Sequence, residues 1–258
     1  MSTTIAPATY ALEGKVALVT GGGSGIGEAC VAALARSGAV VAVLDRDGDQ
    51  AERVAAAATG SGGAAFALAL DVQDEDAVDE AVAEVVRRAG GLHIAVNNAG
   101  VSAPAGPLAD CSTETWRRVH AVNLEGLFFC LRAELRVMRA GGGGSIVNLA
   151  SILAQVARPG SGPYVSSKHA VLGLTRAAAL DHAADGIRVN AVGPGHTRTP
   201  LFETIIDAPV RTALEGSYPG GRLALPPEIA ELIVWLASDA SSFANGGFYP
   251  VDGAYLAQ

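Results

Sequence analysis

The sequence predicts an α/β protein in which a doubly wound parallel sheet lies between two layers of helices. Short apolar runs without polar alternation recur along its 258 residues, as in strands that are covered on both faces. Helix-length segments separate these runs, and no linker-like stretch divides the chain. Such alternation gives right-handed crossovers. We therefore expect one three-layer domain over residues 1–258, with 1–12 as an N-terminal extension.

The predicted elements follow one another in a regular order. The strand-like runs end at glycine or polar residues and cover 15–20, 40–44, 64–70, 94–96, 145–149 and 187–192. Helices are predicted over 26–37, 47–58, 74–89, 112–139 and 163–184, and Pro226 opens a further one. Gly186 stands where a helix C-terminal glycine belongs. Residues 141–144 are all glycine and predict a turn between a helix and a strand.

Composition and charge exclude several classes of protein. A mean hydropathy of +0.31 argues against intrinsic disorder, and a net charge of -8 argues against nucleic-acid binding. We expect no secretory signal and no membrane span, because no run of about 18 apolar residues occurs.

Cys30, Cys111 and Cys130 are widely spaced and form no metal-ligand pair. Free thiols, no metal site and a reducing cytoplasmic location are therefore expected.

A glycine-rich turn over residues 20–27 follows the first predicted strand and opens the first predicted helix. Glycines there let the backbone approach a pyrophosphate, and the helix N-terminus supplies donors and a positive dipole. A tight turn with positive φ would need the same glycines. The strand–turn–helix position favours a dinucleotide. The expected cofactor contacts are Gly21, Ser24, Gly25, Ile26 and Gly27.

Two carboxylates at strand ends extend this predicted cofactor site. Asp45 ends the second strand, where its carboxylate can accept hydrogen bonds from both ribose hydroxyls and repel a 2′-phosphate. It therefore predicts NAD rather than NADP. Asp71 ends the third strand and would bond the adenine amino group, although a helix cap explains this residue equally well.

A second group of residues predicts acid–base chemistry. Tyr164 and Lys168 are four residues apart on a predicted helix, so they share a face. A lysine ammonium near a phenol lowers the pKa of the phenol from about 10 toward working pH, which makes the tyrosine a usable acid and base. Ser151 follows a strand and can donate a hydrogen bond to a substrate oxygen.

These motifs resemble those of the short-chain dehydrogenase/reductase family, in its short single-domain branch, from about residue 14 to residue 254. They match in order along the chain and at the spacing of the family. The matching residues are Thr20–Gly27, Asp71-Val72, Asn97-Asn98-Ala99-Gly100, Asn123, Ser151, Tyr164 with Lys168, Pro194-Gly195 with Thr199, and Val251-Asp252-Gly253.

The resemblance implies a Rossmann fold and hydride transfer between nicotinamide C4 and a carbinol or carbonyl carbon. It implies that Tyr164 is the acid and base and that Ser151 polarises the carbonyl. Lys168 would lower the tyrosine pKa and hold the nicotinamide ribose, and Asn123 would interrupt its helix to hold a water linked to Lys168. Further cofactor contacts are implied for Asp71, Val72, Asn98, Ala99, Gly100, Tyr164, Lys168, Pro194, Gly195, Thr197 and Thr199.

The substrate side is predicted from residues 196–220, which look like a mobile lid. Their apolar side chains favour a hydrophobic substrate, although packing on the core would also explain them. Arg158 is read either as a partner for a substrate carboxylate or as a solvated loop residue, and His196 either as a substrate contact or as a structural histidine. The candidate substrate contacts are Leu153, Arg158, His196, Phe202 and Ile206.

The leading functional hypothesis is an NAD(H)-dependent alcohol dehydrogenase or carbonyl reductase for a small, largely apolar substrate. By resemblance to the family, a homotetramer is expected. One alternative is a 3-oxoacyl-carrier-protein reductase, which usually prefers NADPH and needs a basic patch; Asp45 and the charge of -8 oppose it. Another is a non-catalytic dinucleotide sensor, which would not need Ser151, Tyr164, Lys168 and Asn123 together.

Overall fold

The computed structural model describes residues 8–205 and 207–258, apart from the side chains of 201, 204 and 205. Seven strands within these ranges form one sheet in the order β3-β2-β1-β4-β5-β6-β7, and neighbouring strands are parallel. The predicted doubly wound sheet is confirmed. The strands are β1 (Val16–Thr20), β2 (Val40–Asp45), β3 (Ala64–Ala69), β4 (Ile94–Asn97), β5 (Gly144–Leu149), β6 (Ile187–Pro194) and β7 (Phe248–Val251).

Helices connect the strands and cover both faces of the sheet. They are α1 (Gly25–Arg36), α2 (Gly48–Gly60), α3 (Glu75–Ala89), α4 (Thr113–His120), α5 (Leu127–Gly141), α6 (Gly162–His182), α7 (Pro200–Ile205), α8 (Ala208–Gly216) and α9 (Pro226–Ala237). Gly186 has a φ of 74° just after α6 and a short 3-10 turn, as its predicted C-terminal role requires.

Two hydrophobic cores lie on opposite faces of the sheet because neighbouring residues of a strand point to opposite sides. Leu18 of β1 belongs to the core under α3, α5 and α6. Val19, the next residue, belongs to the core under α1, α2 and α9. The two covered faces explain why the strand runs are apolar without alternation.

The structure differs from the sequence prediction at two elements. The helix predicted over 112–139 is divided by a π-helical stretch, Ala121–Gly126, between α4 and α5. Strand β7 was not predicted, because it is short, only half-buried and contains Pro250. An edge strand tolerates a proline since one side of its backbone needs no ladder hydrogen bond.

The structure describes part of the predicted N-terminal extension and most of the predicted lid. Residues 1–7 of the predicted extension lie outside the described residues, while Leu12 is buried and its N–H bonds the Ser37 carbonyl at 2.9 Å. The predicted lid contains α7 and α8. Within the ranges that the structure covers, no helix has the length and apolar character needed to span a bilayer.

Candidate active site

The site lies where the strand order reverses, at the carboxyl ends of β1 and β4, which is the usual ligand crevice of such sheets. Thr20 ends β1, and its Oγ1 accepts hydrogen bonds from the N–H groups of Asn98 at 3.1 Å and Ala99 at 3.2 Å. The Asn98 amide donates in return to the carbonyls of Thr20 at 3.1 Å and Gly21 at 2.8 Å. The Asn98 side chain, expected near adenosine, thus holds the glycine-rich turn in place.

The glycine-rich turn forms a backbone cradle that larger residues would fill. Gly21 and Gly25 have φ angles of 61° and 57°. A Cβ on Gly27 would lie only 2.1 Å from the Gly21 carbonyl oxygen. Ser24 is the N-cap of α1, but its hydroxyl bonds none of the first N–H groups. Those donors and the positive helix dipole remain available to an anion, so the turn fits a pyrophosphate.

Asp45 presents a carboxylate beside this cradle. Its Oδ2 accepts from the Gly23 N–H at 3.0 Å, and its Oδ1 accepts from the Asp47 N–H at 3.0 Å. Arg53, which sequence reasoning missed, donates to the Gly23 carbonyl at 3.0 Å. The Glu28 carboxylate pairs with Arg53 at 2.8 Å. A carboxylate and a neutralised arginine therefore border the expected ribose position.

Asp71 and Val72 follow β3 and take different environments. Asp71 is exposed, and its Oδ1 accepts from the Gln73 N–H at 3.0 Å. The side chain that caps α3 is Asp74, so the helix-cap interpretation of Asp71 is wrong. Val72 is buried against Gly126, and a Cβ added to Gly126 would lie 2.7 Å from Val72 Cγ2.

The structure brings Ser151, Tyr164 and Lys168 together beyond the end of β5. Ser151 is buried, and its Oγ accepts from the Leu153 N–H at 3.1 Å, which leaves its own proton available for donation. Lys168 donates from Nζ to the Leu149 carbonyl at 2.6 Å. Its Nζ lies 5.7 Å from the centre of the Tyr164 ring. The end of β5 therefore brings the Ser151 hydroxyl and the Lys168 ammonium close to the Tyr164 phenol.

Burial perturbs both ionisable groups of this cluster. It lowers the pKa of Lys168 to about 8, because an ammonium loses hydration. It raises the pKa of Tyr164, while the neighbouring Ser151 hydroxyl and the positive charge of Arg158 act in the opposite direction. The sequence predicted this lowering from Lys168 and a positively charged nicotinamide, whereas in the fold Ser151 and Arg158 are the groups that lower the pKa of Tyr164.

Asn123 lies in the π-helical stretch, so the expected interruption of its helix is present. Its Oδ1 accepts from the Val101 N–H at 2.7 Å, and its Nδ2 donates to the Val101 carbonyl at 2.9 Å and to Ser167 Oγ at 3.1 Å. The side chain therefore ties the loop after β4 to α6, next to Lys168. A Cβ on Gly100 would lie 3.3 Å from Asn123 Oδ1 and 3.7 Å from Lys168 Nζ, so this glycine keeps the space beside the ammonium open.

The segment after β6 closes the other side of the cleft. Pro194 ends β6, and a Cβ on Gly195 would lie 2.9 Å from the Tyr218 hydroxyl. Thr197 is buried and donates to the Gly195 carbonyl at 3.1 Å. The Thr199 side chain lies 3.1 Å from the Cβ position of Gly25, which places the start of the lid against the N-terminus of α1. Ile26 and Ala99 are half-buried at the same edge.

The predicted substrate residues separate into different positions. Leu153 is buried behind Ser151, Phe202 is half-buried in α7, and Ile206 lies outside the described residues. His196 and Arg158 meet, with Arg158 Nη1 3.1 Å from His196 Nε2. Tyr218, which the sequence did not single out, lies 2.8 Å from His196 Nδ1 through its hydroxyl. These three residues form a polar group beside the catalytic candidates.

Comparisons with known proteins agree with this geometry. Residues 21–255 match the family model described as enoyl-(acyl carrier protein) reductase. The chain is 44% identical over 249 residues to 2,5-dichloro-2,5-cyclohexadiene-1,4-diol dehydrogenase of Sphingobium indicum, covering 95% of this chain and 98% of that protein. It is also 44% identical over 243 residues to cis-4-hydroxycyclohexanecarboxylate dehydrogenase of Sinomonas cyclohexanicum, covering 94% of this chain and 97% of that protein.

A solved structure from Beutenbergia cavernae, described as an NAD(P)-dependent gluconate 5-dehydrogenase with bound NADP, superimposes with a TM-score of 0.91 at 36% identity. The superposition covers 97% of this chain and 100% of the other chain. Relatives of this similarity extend over the sheet, the glycine-rich turn and the Tyr164–Lys168 helix alike. The chain therefore belongs to the short-chain dehydrogenase/reductase family and is an oxidoreductase of the CH–OH group that works with a nicotinamide cofactor.

Proposed function

We propose that the protein is an NAD(H)-dependent dehydrogenase that interconverts small cyclic secondary alcohols and their ketones. The convergence of Ser151, Tyr164 and Lys168 beyond β5, beside the glycine cradle after β1, carries this proposal. A ring substrate is supported by the two relatives, whose names specify a cyclohexadiene diol and a hydroxycyclohexane carboxylate.

The residues present fit a nicotinamide dinucleotide. The cradle of Gly21, Gly25 and Gly27 and the uncapped N-terminus of α1 would hold the pyrophosphate. Asn98, Ala99 and Gly100 would border the adenosine half, while Pro194, Gly195, Thr197 and Thr199 would border the nicotinamide half. When bound, the nicotinamide supplies the hydride acceptor or donor.

Tyr164 serves as the acid and base of the proposed reaction. Its phenolate takes the proton of the carbinol during oxidation, and its phenol gives that proton to the carbonyl oxygen during reduction. Ser151 holds the same substrate oxygen, because its hydroxyl proton is not needed for the bond to Leu153. The Ser151 hydroxyl and the charge of Arg158 oppose the effect of burial and lower the pKa of the phenol. The Lys168 ammonium, 5.7 Å from the centre of the ring, would add positive charge on the same phenol.

Asn123 is proposed to complete a proton path to solvent. Its side chain is bonded to Val101 and Ser167, which fixes α6 relative to the π-helical stretch. A water bound at this stretch would connect the Lys168 ammonium to the outside. This role keeps Lys168 supplied with exchangeable protons while the reacting atoms stay shielded.

We propose NAD rather than NADP as the preferred cofactor. The support is Asp45, whose carboxylate borders the cradle through its bond to the Gly23 N–H at 3.0 Å. A 2′-phosphate would meet this negative charge, and Arg53 is already paired with Glu28. Ribose hydroxyls, in contrast, can donate to the carboxylate.

Two further properties are proposed from surface features. A homotetramer is supported by apolar side chains that remain exposed on α5 and α6, with Phe128 42% and Leu180 82% exposed. A cytoplasmic location is supported by Cys30, Cys111 and Cys130, which are free thiols as a reducing compartment requires.

The experiment that tests the mechanism is Tyr164→Phe, assayed with cyclohexanol and NAD by NADH absorbance. Loss of the acid–base group is expected to lower kcat by about 100-fold or more, while the Kd for NADH changes little. Tyr249→Phe in β7 is the matched control, because its hydroxyl lies beside Gly247, just before the start of β7, whereas the site lies beyond the carboxyl ends of the strands. Unchanged turnover of Tyr164→Phe would refute the proposed mechanism.

A further inference from the structure

Arg158 is exposed, yet its guanidinium is held in one place. It lies in the loop between Ser151 and Tyr164. Its Nε donates to Ser161 Oγ at 3.0 Å, and its Nη1 donates to His196 Nε2 at 3.1 Å. Ser161 is buried, so one of these two partners is itself fixed. Arg158 therefore differs from a solvated loop arginine, whose side chain would sample many rotamers.

The histidine beside Arg158 is neutral. An arginine can only donate, so His196 Nε2 must accept and the ring proton sits on Nδ1. That proton points to the Tyr218 hydroxyl at 2.8 Å, which also accepts from the His196 N–H at 2.6 Å. Burial and the charge of Arg158 lower the pKa of His196 to about 4. The partners of Arg158 thus fix its position without neutralising its charge.

The positive charge of Arg158 has no carboxylate partner among residues 8–205 and 207–258. Arg36, Arg53 and Arg222 show the contrasting arrangement, each with a glutamate within 2.8 Å. Within the same ranges its Nη2 makes no hydrogen bond to protein. A guanidinium presents parallel N–H groups that suit a carboxylate, so a fixed and unpaired one is a ready site for an anion.

The position of Arg158 identifies whose anion it would bind. The pyrophosphate donors lie at the N-terminus of α1, where Thr199 meets Gly25. Arg158 instead belongs to the loop beyond β5, with Ser151 before it and Tyr164 after it, and its charge reaches the Tyr164 phenol. An anion there would belong to the molecule that reacts at the phenol.

We propose that Arg158 is a specificity-determining residue that binds a carboxylate carried by the cyclic alcohol at a ring position away from its carbinol carbon. The inference rests on the proposed dehydrogenase function and refines its substrate class. The ring remains apolar, as the lid composition indicates, but one end of the substrate is anionic. His196 and Tyr218 act as positioning residues, because they hold Arg158 at the mouth of the site.

The experiment compares 4-hydroxycyclohexanecarboxylate, its methyl ester and cyclohexanol as substrates with NAD. The wild-type enzyme is expected to show a kcat/KM for the acid at least about tenfold above that for the ester. Arg158→Gln keeps much of the side-chain length but removes the charge, and is expected to lower this acid-to-ester ratio by about 10- to 100-fold, the range of a charge-assisted hydrogen bond. Arg158→Lys is expected to fall between the two, since it keeps the charge but loses the planar fork.

Arg87→Gln is the matched control. Arg87 is an exposed arginine of α3, a helix that carries neither a site residue nor part of the proposed subunit face, and its substitution is expected to leave all three kcat/KM values unchanged. The ratio of acid to ester is the chosen readout because any effect of Arg158 on the Tyr164 phenol changes both substrates equally. Thermal unfolding of each variant confirms that it is folded.

The outcomes separate the inference from the proposed function. If cyclohexanol and the ester are oxidised but the acid is not preferred, or if Arg158→Gln leaves the ratio unchanged, the function stands and the carboxylate site is refuted. A rise in the Kd for NADH in Arg158→Gln that matches the loss of activity would make Arg158 a cofactor anchor and would also overturn the inference. If the wild-type protein oxidises none of the three alcohols, the proposed function fails and the inference fails with it.

Discussion

A glutamate buried under the centre of the sheet is expected to make the stability of the protein depend on pH. Glu134 of α5 is 0% exposed, and its Oε2 accepts from the Asn97 amide at 2.8 Å. Asn97 also donates to Asn148 Oδ1 at 3.0 Å, and Asn148 donates to Thr175 Oγ1 at 3.0 Å. Within the described residues, Glu134 Oε1 and Asn97 Oδ1 have no partner. Burial raises the pKa of Glu134 from 4.5 to about 8, and the Asn97 bond opposes this only in part.

The sign of the effect follows from where the proton is held. Between pH 4.5 and about 8 the unfolded chain releases the Glu134 proton while the folded chain keeps it. The folded state therefore binds more protons, and the free energy of unfolding falls as pH rises through this window. At about 1.4 kcal/mol per pH unit, the full loss is roughly 5 kcal/mol by pH 8. At pH 5 most of this stability, about 4 kcal/mol, is still present.

Glu134→Gln tests this reasoning, because glutamine keeps the shape of the neutral carboxyl and does not titrate. Urea unfolding at fixed protein concentration is measured for both proteins at pH 5, 6, 7 and 8. The difference in free energy of unfolding between variant and wild type is expected to shift in favour of the variant by roughly 3 kcal/mol between pH 5 and pH 7. Glu52→Gln, which changes an exposed glutamate of α2, serves as the control and is expected to follow the wild type. Parallel pH curves for Glu134→Gln and wild type would show that Glu134 is ionised in the folded protein, and the reasoning would be refuted.

Three other substitutions test separate parts of the site and surface. Asp45→Ala is expected to raise kcat/KM for NADP by about tenfold or more through loss of like-charge repulsion, and a wild type that already prefers NADP would contradict the ribose argument. Gly100→Ala places a methyl group 3.7 Å from Lys168 Nζ and 3.3 Å from Asn123 Oδ1. Its kcat is expected to fall by about tenfold while the unfolding temperature stays unchanged. Equal kcat values for variant and wild type would show that the space beside Lys168 is not used in the reaction. Leu180→Glu introduces a charge on the exposed face of α6 and is expected to lower the molar mass measured by light scattering, whereas an unchanged mass would remove this face from any subunit interface.

The order of strands and helices could be predicted from the sequence because parallel strands covered on both faces leave a strong signal. Their apolar runs are unbroken, and each ends at a glycine or a polar residue. β7 escaped prediction because an edge strand of four residues with Pro250 has neither the length nor the burial that makes a run visible. The π-helical stretch Ala121–Gly126 was expected only as an interruption of the helix at Asn123, through resemblance. Its residues do not differ in type from those of an ordinary α-helix, so composition could not predict it.

The candidate site, too, could be predicted from the sequence only in part. Glycines at the cofactor turn, Asp45 at a strand end, and the Tyr164–Lys168 pair on one helix face are local patterns, so the sequence by itself determined the family, the chemistry and the expected cofactor site. Contacts between distant segments left no such pattern. Asn98 illustrates this, because the resemblance implied a cofactor contact but could not show that its side chain also holds the glycine-rich turn. Asp71 is a second example, because its position at a strand end allowed a helix cap that Asp74 provides instead.

Only the tertiary structure showed the contacts among Arg158, His196 and Tyr218 and the buried polar network. Arg158, His196 and Tyr218 are separated by 38 and 22 residues along the chain and become neighbours only when the β5–α6 loop and the lid meet. Glu134 and Asn97 are 37 residues apart and form a buried pair only when α5 packs on the sheet. The physical reason is that charge, burial and hydrogen bonding act over a few ångströms in space. Sequence records that proximity only where a single helix, turn or strand end creates it.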